Sequence, residues 1–186
     1  MKMKKLVCFA FATALLSACS NSGNKTTPAG EAQNTKTEIT NDMESASSII
    51  PSWQNEKTVI SVKEPAAHSG EFVCITNDTA EFGYTYAELV KNISSVIPKK
   101  VSVSGWVFTT ISNPKFSIIL DVSENGKLYD WKAFPLDSIN ETGKWIEFNA
   151  SFYFDKPLNQ EQTIKLYPWN QSKKPVYIDD LKITFE

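Results

Sequence analysis

From Lys57 to Phe185 the chain keeps returning to one kind of segment, a run of Val, Ile, Phe, Tyr, Trp and Thr closed by a turn signal. Eight such runs stand at 57–63, 71–77, 100–110, 115–123, 127–134, 144–154, 162–169 and 175–185. They are punctuated by His68-Ser69-Gly70, Asn113-Pro114, Asn125-Gly126, Thr142-Gly143 and Lys174-Pro175, residues that supply the backbone angles of turns. Two runs alternate cleanly. Phe116, Ile118, Leu120 and Val122 hold one phase, and Ile146, Phe148, Ala150, Phe152 and Phe154 form a second row opposite Glu147, Asn149 and Ser151. A period of two puts each row on one face of a pleated strand. Sheets that are apolar on one face must stack, so the pattern predicts an all-β fold, an antiparallel two-sheet β-sandwich. Helical spacing occurs once, in Tyr86, Leu89, Val90 and Ile93, and predicts a short helix within 84–97.

Cross-links do not help this fold. The chain has three cysteines, Cys8, Cys19 and Cys74. Cys8 lies in an apolar run, Leu6 to Leu16, that follows the basic start Met1-Lys-Met-Lys-Lys5 and is too short to span a bilayer. This is the layout of a secretion signal over residues 1–18. Leu16-Ser17-Ala18-Cys19 resembles the bacterial lipobox, which implies cleavage before Cys19 and acylation of its thiol. Two or three acyl chains hold a protein to a membrane for good. Ser20, in place of an aspartate, points to the outer membrane by the usual sorting rule. Cys74 is then the only thiol of the body, and its apolar neighbours suit an inert buried side chain.

Residues 19–48 lack aromatics and are rich in Asn, Thr, Ser, Ala and Gly, the composition of a flexible tether; the folded domain is expected over 49–186. All five tryptophans lie in that domain. The formal charge of the whole chain is −2, and there is no arginine, so a nucleic-acid partner is disfavoured. Catalysis finds little support. The one histidine, His68, sits in a turn, no serine has a nucleophile elbow around it, and no Gly-rich phosphate loop is present. A non-enzymatic role is expected.

The order Ala67-His-Ser-Gly70, Val101-Ser-Val-Ser-Gly-Trp-Val107, Gly143-Lys-Trp145, Ile164-Lys-Leu-Tyr167 and Val176-Tyr-Ile-Asp-Asp-Leu-Lys-Ile183 resembles the jelly roll of carbohydrate-binding modules and galactose-binding-like domains. With the lipobox and tether, the whole is similar to Bacteroidetes-type envelope lipoproteins. Asp78-Thr-Ala80 and Asp137-Ser-Ile139 resemble the O-glycosylation acceptor of that phylum. The resemblance implies a carbohydrate-binding domain held at the membrane, in which Trp106 and Trp145 are structural. The same sandwich could instead hold another envelope protein.

Two candidate sites follow. Sugar rings stack their C–H faces on Trp and Tyr while polar groups bond their hydroxyls. Tyr129-Asp-Trp131-Lys and Tyr167-Pro-Trp169-Asn170-Gln171 offer both, making Tyr129, Trp131, Tyr167, Trp169 and Asn170 the candidate polysaccharide contacts. The second lies in the last strand, where Val176 and Ile178 hold one phase and Leu181, Ile183 and Phe185 the other. A strand changes phase through a bulge, here at Asp179-Asp180. The resemblance implies that such an Asp pair ligates a structural calcium; the alternative is that it accepts hydrogen bonds from a neighbouring loop.

Overall fold

The computed structural model describes residues 36–45, 48 and 50–186. The signal segment, Cys19 and most of the predicted tether lie outside the described residues. Besides a 3-10 turn at Glu56–Thr58, the regular elements of the described residues are eleven strands and one turn of α-helix. They are β1 (Thr37–Asn41), β2 (Trp53–Gln54), β3 (Val59–Ser61), β4 (Phe72–Thr76), β5 (Thr85–Leu89), α1 (Val90–Ile93), β6 (Lys100–Thr109), β7 (Phe116–Glu124), β8 (Lys127–Pro135), β9 (Trp145–Tyr153), β10 (Thr163–Asn170) and β11 (Val176–Phe185). All pairings are antiparallel, in two sheets. Sheet A runs β3-β4-β11-β6-β9, with β1 also on β11; sheet B runs β2-β5-β10-β7-β8. This is a jelly-roll β-sandwich.

The predicted alternation is what fills the core. Phe116, Ile118, Leu120 and Val122 of β7 and Phe148, Ala150 and Phe152 of β9 are all buried, as are Ile164 and Leu166 of β10 beside β7. The β7–β8 hairpin closes at Asn125 and Gly126, whose φ angles of 50° and 74° are the positive pair that a tight hairpin turn demands. Cys74 is fully buried, and burial pushes its thiol up to about 11, so it is unreactive at neutral pH.

The structure corrects two sequence expectations. Residues 37–41, expected within the tether, form β1 and pair with Leu181–Phe185 of β11. Ile39 packs on the core and Met43 is wholly buried in it, so few apolar side chains suffice to anchor a segment of otherwise polar composition. Among the described residues α-helix is confined to α1; Tyr86 and Leu89 belong to β5, where Tyr86 turns inward onto Phe185 with ring centroids 6.1 Å apart. Pairing with β10 over Leu166↔Tyr86 to Thr163↔Leu89 overrides the local helical spacing.

In β11 the phase change occurs through a bulge between Asp179 and Lys182 opposite β6. Asp180 carries the distortion, with φ of 49°. Gly105 of β6 lies across from it: a Cβ there would meet the Asp179 carbonyl at 3.0 Å and the Leu181 side chain at 3.1 Å. The bulge therefore depends on a residue without a side chain at position 105.

Candidate functional site

The outward face of sheet B carries an aromatic cluster assembled from four segments. On β10, Lys165, Tyr167 and Trp169 point outward between buried Ile164, Leu166 and Asn170. Register sets their neighbours: Lys165 lies opposite Asp121, Tyr167 opposite Ile119 and Trp169 opposite Ser117 on β7. On β8, Trp131 lies opposite Asp121 and Ala133 opposite Ile119. Phe82, in the loop before β5, bridges to Trp169.

These rings hold one another. Trp131 meets Trp169 edge to face, with centroids 6.0 Å apart and planes at 77°. Phe82 lies parallel to Trp169 at 6.2 Å and edge-on to Tyr167 at 5.8 Å. Ile119 points outward yet is fully buried beneath the aromatic cluster. The aromatic cluster is a small second core laid on the outside of the sheet, and its upper surface is still open: Trp131 is 43% exposed and Phe82 47%.

Polar groups ring this surface. The Trp169 indole Nε1 donates to Glu81 Oε1 at 2.6 Å, which fixes both ring and carboxylate. Burial raises the Asp121 carboxyl above its usual range, and the nearby Lys165 charge opposes the shift. Burial also raises the Tyr167 phenol, with the Trp131 indole N–H acting in the opposite direction and the Asp121 charge adding to the rise. The result is a part-exposed corner of perpendicular indoles flanked by two carboxylates, an ammonium and a phenol, suited to stacking one face of a polyol ring while bonding its hydroxyls.

Three of the five sequence candidates, Trp131, Tyr167 and Trp169, meet here. The other two are placed elsewhere. Tyr129 sits at the β8 bulge, packs on the core and donates its hydroxyl to the Pro157 carbonyl at 3.0 Å. Asn170 is 1% exposed because its position on β10 has the inward phase; its amide donates to Thr76 O, Thr76 Oγ1 and the Lys174 carbonyl. Phe82, Glu81 and Asp121 join the cluster without having been singled out in the sequence. Asp121 could have been: it is the one carboxylate in the middle of the apolar run Phe116–Val122, on its outward phase.

The Asp179-Asp180 pair does a different task on the outward face of sheet A. Asp179 is fully buried; its Oδ2 accepts the backbone N–H groups of His68 at 3.0 Å and Ser69 at 3.1 Å, and its Oδ1 accepts the Asp180 N–H at 2.8 Å. Asp180 Oδ1 accepts the Ser69 hydroxyl at 2.7 Å, and Oδ2 lies 2.6 Å from His68 Nδ1. The pair clasps the 64–70 loop over the sheet. Beneath it the His68 ring stacks on Trp106 at 4.0 Å, and the Trp145 indole donates to the Ala66 carbonyl at 2.9 Å. The four carboxylate oxygens thus face N–H and O–H donors rather than a shared point. Among the described residues no group of three or more His, Cys, Asp or Glu side chains gathers to hold a metal ion. This donor set does not suit calcium, which takes six to eight oxygens. Nor do Ser69, His68 and Asp180 form a proton relay, because serine and histidine both bond the same carboxylate and not each other.

No protein-family model matches the chain, and no curated protein does. Among solved structures the chain is similar to TmCBM61 in complex with β-1,4-galactotriose, with 19% identity, a TM-score of 0.41 and coverage of 73% of this chain and 90% of that one. It is similar to the CBM22-1 xylan-binding domain of Paenibacillus barcinonensis Xyn10C, with 15% identity, a TM-score of 0.47 and coverage of 79% and 92%. A xylan-binding domain of CBM 22 matches with 10% identity, a TM-score of 0.48 and coverage of 82% and 96%. None of these likenesses is close enough in backbone or sequence to assign a ligand.

Proposed function

We propose that this chain is a lipid-anchored protein of the bacterial outer membrane whose jelly-roll domain binds polysaccharide, without catalysis, on the outward face of sheet B. The observation that carries the reading is the part-exposed corner of Trp131 and Trp169, backed by Tyr167 and Phe82 and flanked by Asp121, Glu81 and Lys165. Large aromatics on a sheet's solvent face are otherwise a liability, and a ligand that stacks on them gives them a use. The neutral-to-acidic flank suits hydroxyl recognition better than recognition of phosphate.

The test is a glycan-binding screen on the full chain, followed by Trp131→Ala. Loss of roughly 1–3 kcal/mol of binding with little change in melting temperature is expected. A folded protein that binds no glycan, or one whose binding ignores Trp131, defeats the reading. Anchoring is tested apart from binding: Cys19→Ser should release the protein from the membrane fraction and remove acyl mass. In place of calcium, the Asp pair serves the loop it clasps.

The competing reading, that the sandwich holds another envelope protein, looks to β8 and β9, each nine residues long and each at a sheet edge. Free edges invite an added strand. Here Lys132 of β8 reaches across to the Tyr153 carbonyl at 2.6 Å and Asp155 at 2.5 Å, putting a charged side chain between the two edges. That arrangement guards an edge, so polysaccharide binding is preferred.

A further inference from the structure

Six large apolar side chains stand exposed among the described residues: Phe82, Val96, Ile97, Leu128, Trp131 and Tyr153. Phe82 and Trp131 belong to the sheet B corner. The other four gather at one end of the sandwich, where β5, β7, β9 and β11 end and β6, β8 and β10 begin. An open cleft of about 530 Å³ lies there, walled by Ile97, Pro98, Tyr153, Phe154, Pro157 and Leu158. Val96 is 52% exposed and Tyr153 64%.

The charges at this end are mixed, with the lysines in slight excess over Glu124, Asp130, Asp155, Glu161 and Glu186. Lys100 pairs with Glu186, Lys132 with Asp155 and Lys91 with Glu161. Lys99 and Lys156 on the cleft, and Lys127, which lies opposite Glu124 in the neighbouring hairpin, form no ion pair among the described residues. The chain also enters the domain at this end. Thr37 pairs with Phe185, and Lys36 feels the charge of Glu186. Whatever course the preceding residues take, they join the domain beside the cleft. From Cys19 to Lys36 is about 17 residues, a contour of at most ~60 Å.

We infer that this end of the sandwich rests on an anionic lipid surface, with Val96, Ile97 and Tyr153 entering the interface and Lys99, Lys127 and Lys156 facing the headgroup phosphates. The inference rests on the anchoring reading, because the same end that exposes apolar and cationic groups is the one joined to Cys19. Tyrosine and aliphatic side chains beside lysines are the composition of an interfacial contact. The preceding segment of this chain is a poor occupant for the cleft, since 20–35 contains no aromatic and no Leu, Ile or Val. Docked this way, the outward face of sheet B stands roughly along the membrane normal, open to a polymer lying above the surface.

The test uses the processed, lipidated protein in vesicles of phosphatidylethanolamine and phosphatidylglycerol whose acyl chains carry a quencher. An environment-sensitive dye is placed at Ile97→Cys or, for comparison, at Phe82→Cys; buried Cys74 will not label. Quenching several-fold stronger at 97 than at 82 is expected. It should fall to the level at 82 when Val96→Ser and Tyr153→Ser are added, and weaken in phosphatidylcholine vesicles. Equal quenching at both positions, or quenching indifferent to the two serines, overturns the inference. So does a dye at 97 shielded from water without acyl-chain quenching, the signature of a second copy of the chain on the cleft. Acyl mass on Cys19 is measured in the same sample. If it is absent the anchoring reading fails by itself, and the same two dyes are then read on the chain added to preformed vesicles, where no quenching at 97 overturns the docking as well.

Discussion

Both faces that the sandwich turns outward are aromatic, and they have opposite fates. On sheet A, Trp106, Phe108, Trp145 and Tyr177 form a connected group, Phe108 meeting Trp145 at 5.7 Å and Tyr177 at 6.0 Å. The 64–70 loop lies over it, with His68 stacked on Trp106 and the whole fastened by the carboxylates of Asp179 and Asp180. On sheet B, Trp131, Tyr167, Trp169 and Phe82 form a group of the same make, and the top of Trp131 and Phe82 is left to solvent. The comparison teaches that ring content does not distinguish a supporting cluster from a binding face. What distinguishes them is whether a loop is clasped over the rings. Two acidic residues, poor strand formers on their own, decide it for sheet A.

The sharpest way to break the contrast is to open the clasp. Asp179→Leu keeps the volume but leaves the N–H groups of His68, Ser69 and Asp180 without their acceptor, so a loss of about 3 kcal/mol in a denaturant melt is expected, limited by the loop's freedom to swing out and rehydrate. An unchanged melt would mean that the loop stays put without the aspartate. Next in size is the paired substitution of one tryptophan from each face. Trp106→Ala should cost about 2–3 kcal/mol of stability because it removes the surface on which His68 rests, whereas Trp131→Ala should cost less than about 1 kcal/mol. Similar losses at the two sites would show that both faces are structural and would remove the basis for a ligand on sheet B.

A smaller effect follows from the charge on the clasp. Burial raises the Asp179 carboxyl to about 6, against 3.8 for the free group. A raised value in the fold means that the native state takes up this proton first on acidification. The contribution is present below the unfolded value and is lost as pH rises through 6. Stability should therefore be about 1 kcal/mol greater at pH 5 than at pH 7.5 from this group, and Asp179→Asn should flatten that part of the pH profile. A profile of unchanged slope in the asparagine variant would show that Asp179 is not the source of the effect. The smallest expectation is no effect: adding calcium or a chelator should leave the melting temperature where it is, since the clasp oxygens are already bonded to protein donors. A chelator-sensitive melt would restore the ion that the resemblance implies.

The sandwich was legible because its longest runs alternate, and a burial pattern sustained over such a length leaves one solution. β7, with Phe116, Ile118, Leu120 and Val122 inward, and β9, with Phe148, Ala150 and Phe152 inward, lie where the alternation put them. The bulge was legible for the same reason, as a change of phase in β11. β1 and β2 were not. Thr37–Asn41 holds one apolar residue, and Trp53–Gln54 is too short to show a period, so their pairing depends on partners far away in the chain. In the site, Trp131, Tyr167 and Trp169 could be named from their polar flanks. Asn170 followed from the same reasoning and lies inside, because one step along a strand reverses the face. Phe82 comes from a loop, and only a bridge to Trp169 brings it in. Local sequence cannot announce such a juxtaposition.

The strand with the bulge also closes its sheet. β11 lies inside sheet A, with β6 along one edge and β4 and β1 sharing the other. Three ladders therefore wait on a single strand, and neither β1 nor β4 has a place beside the β6–β9 pair until it is there. Their partners stand a hundred or more residues away in the chain, so the closing of sheet A is a late and cooperative step that no local stretch can start alone.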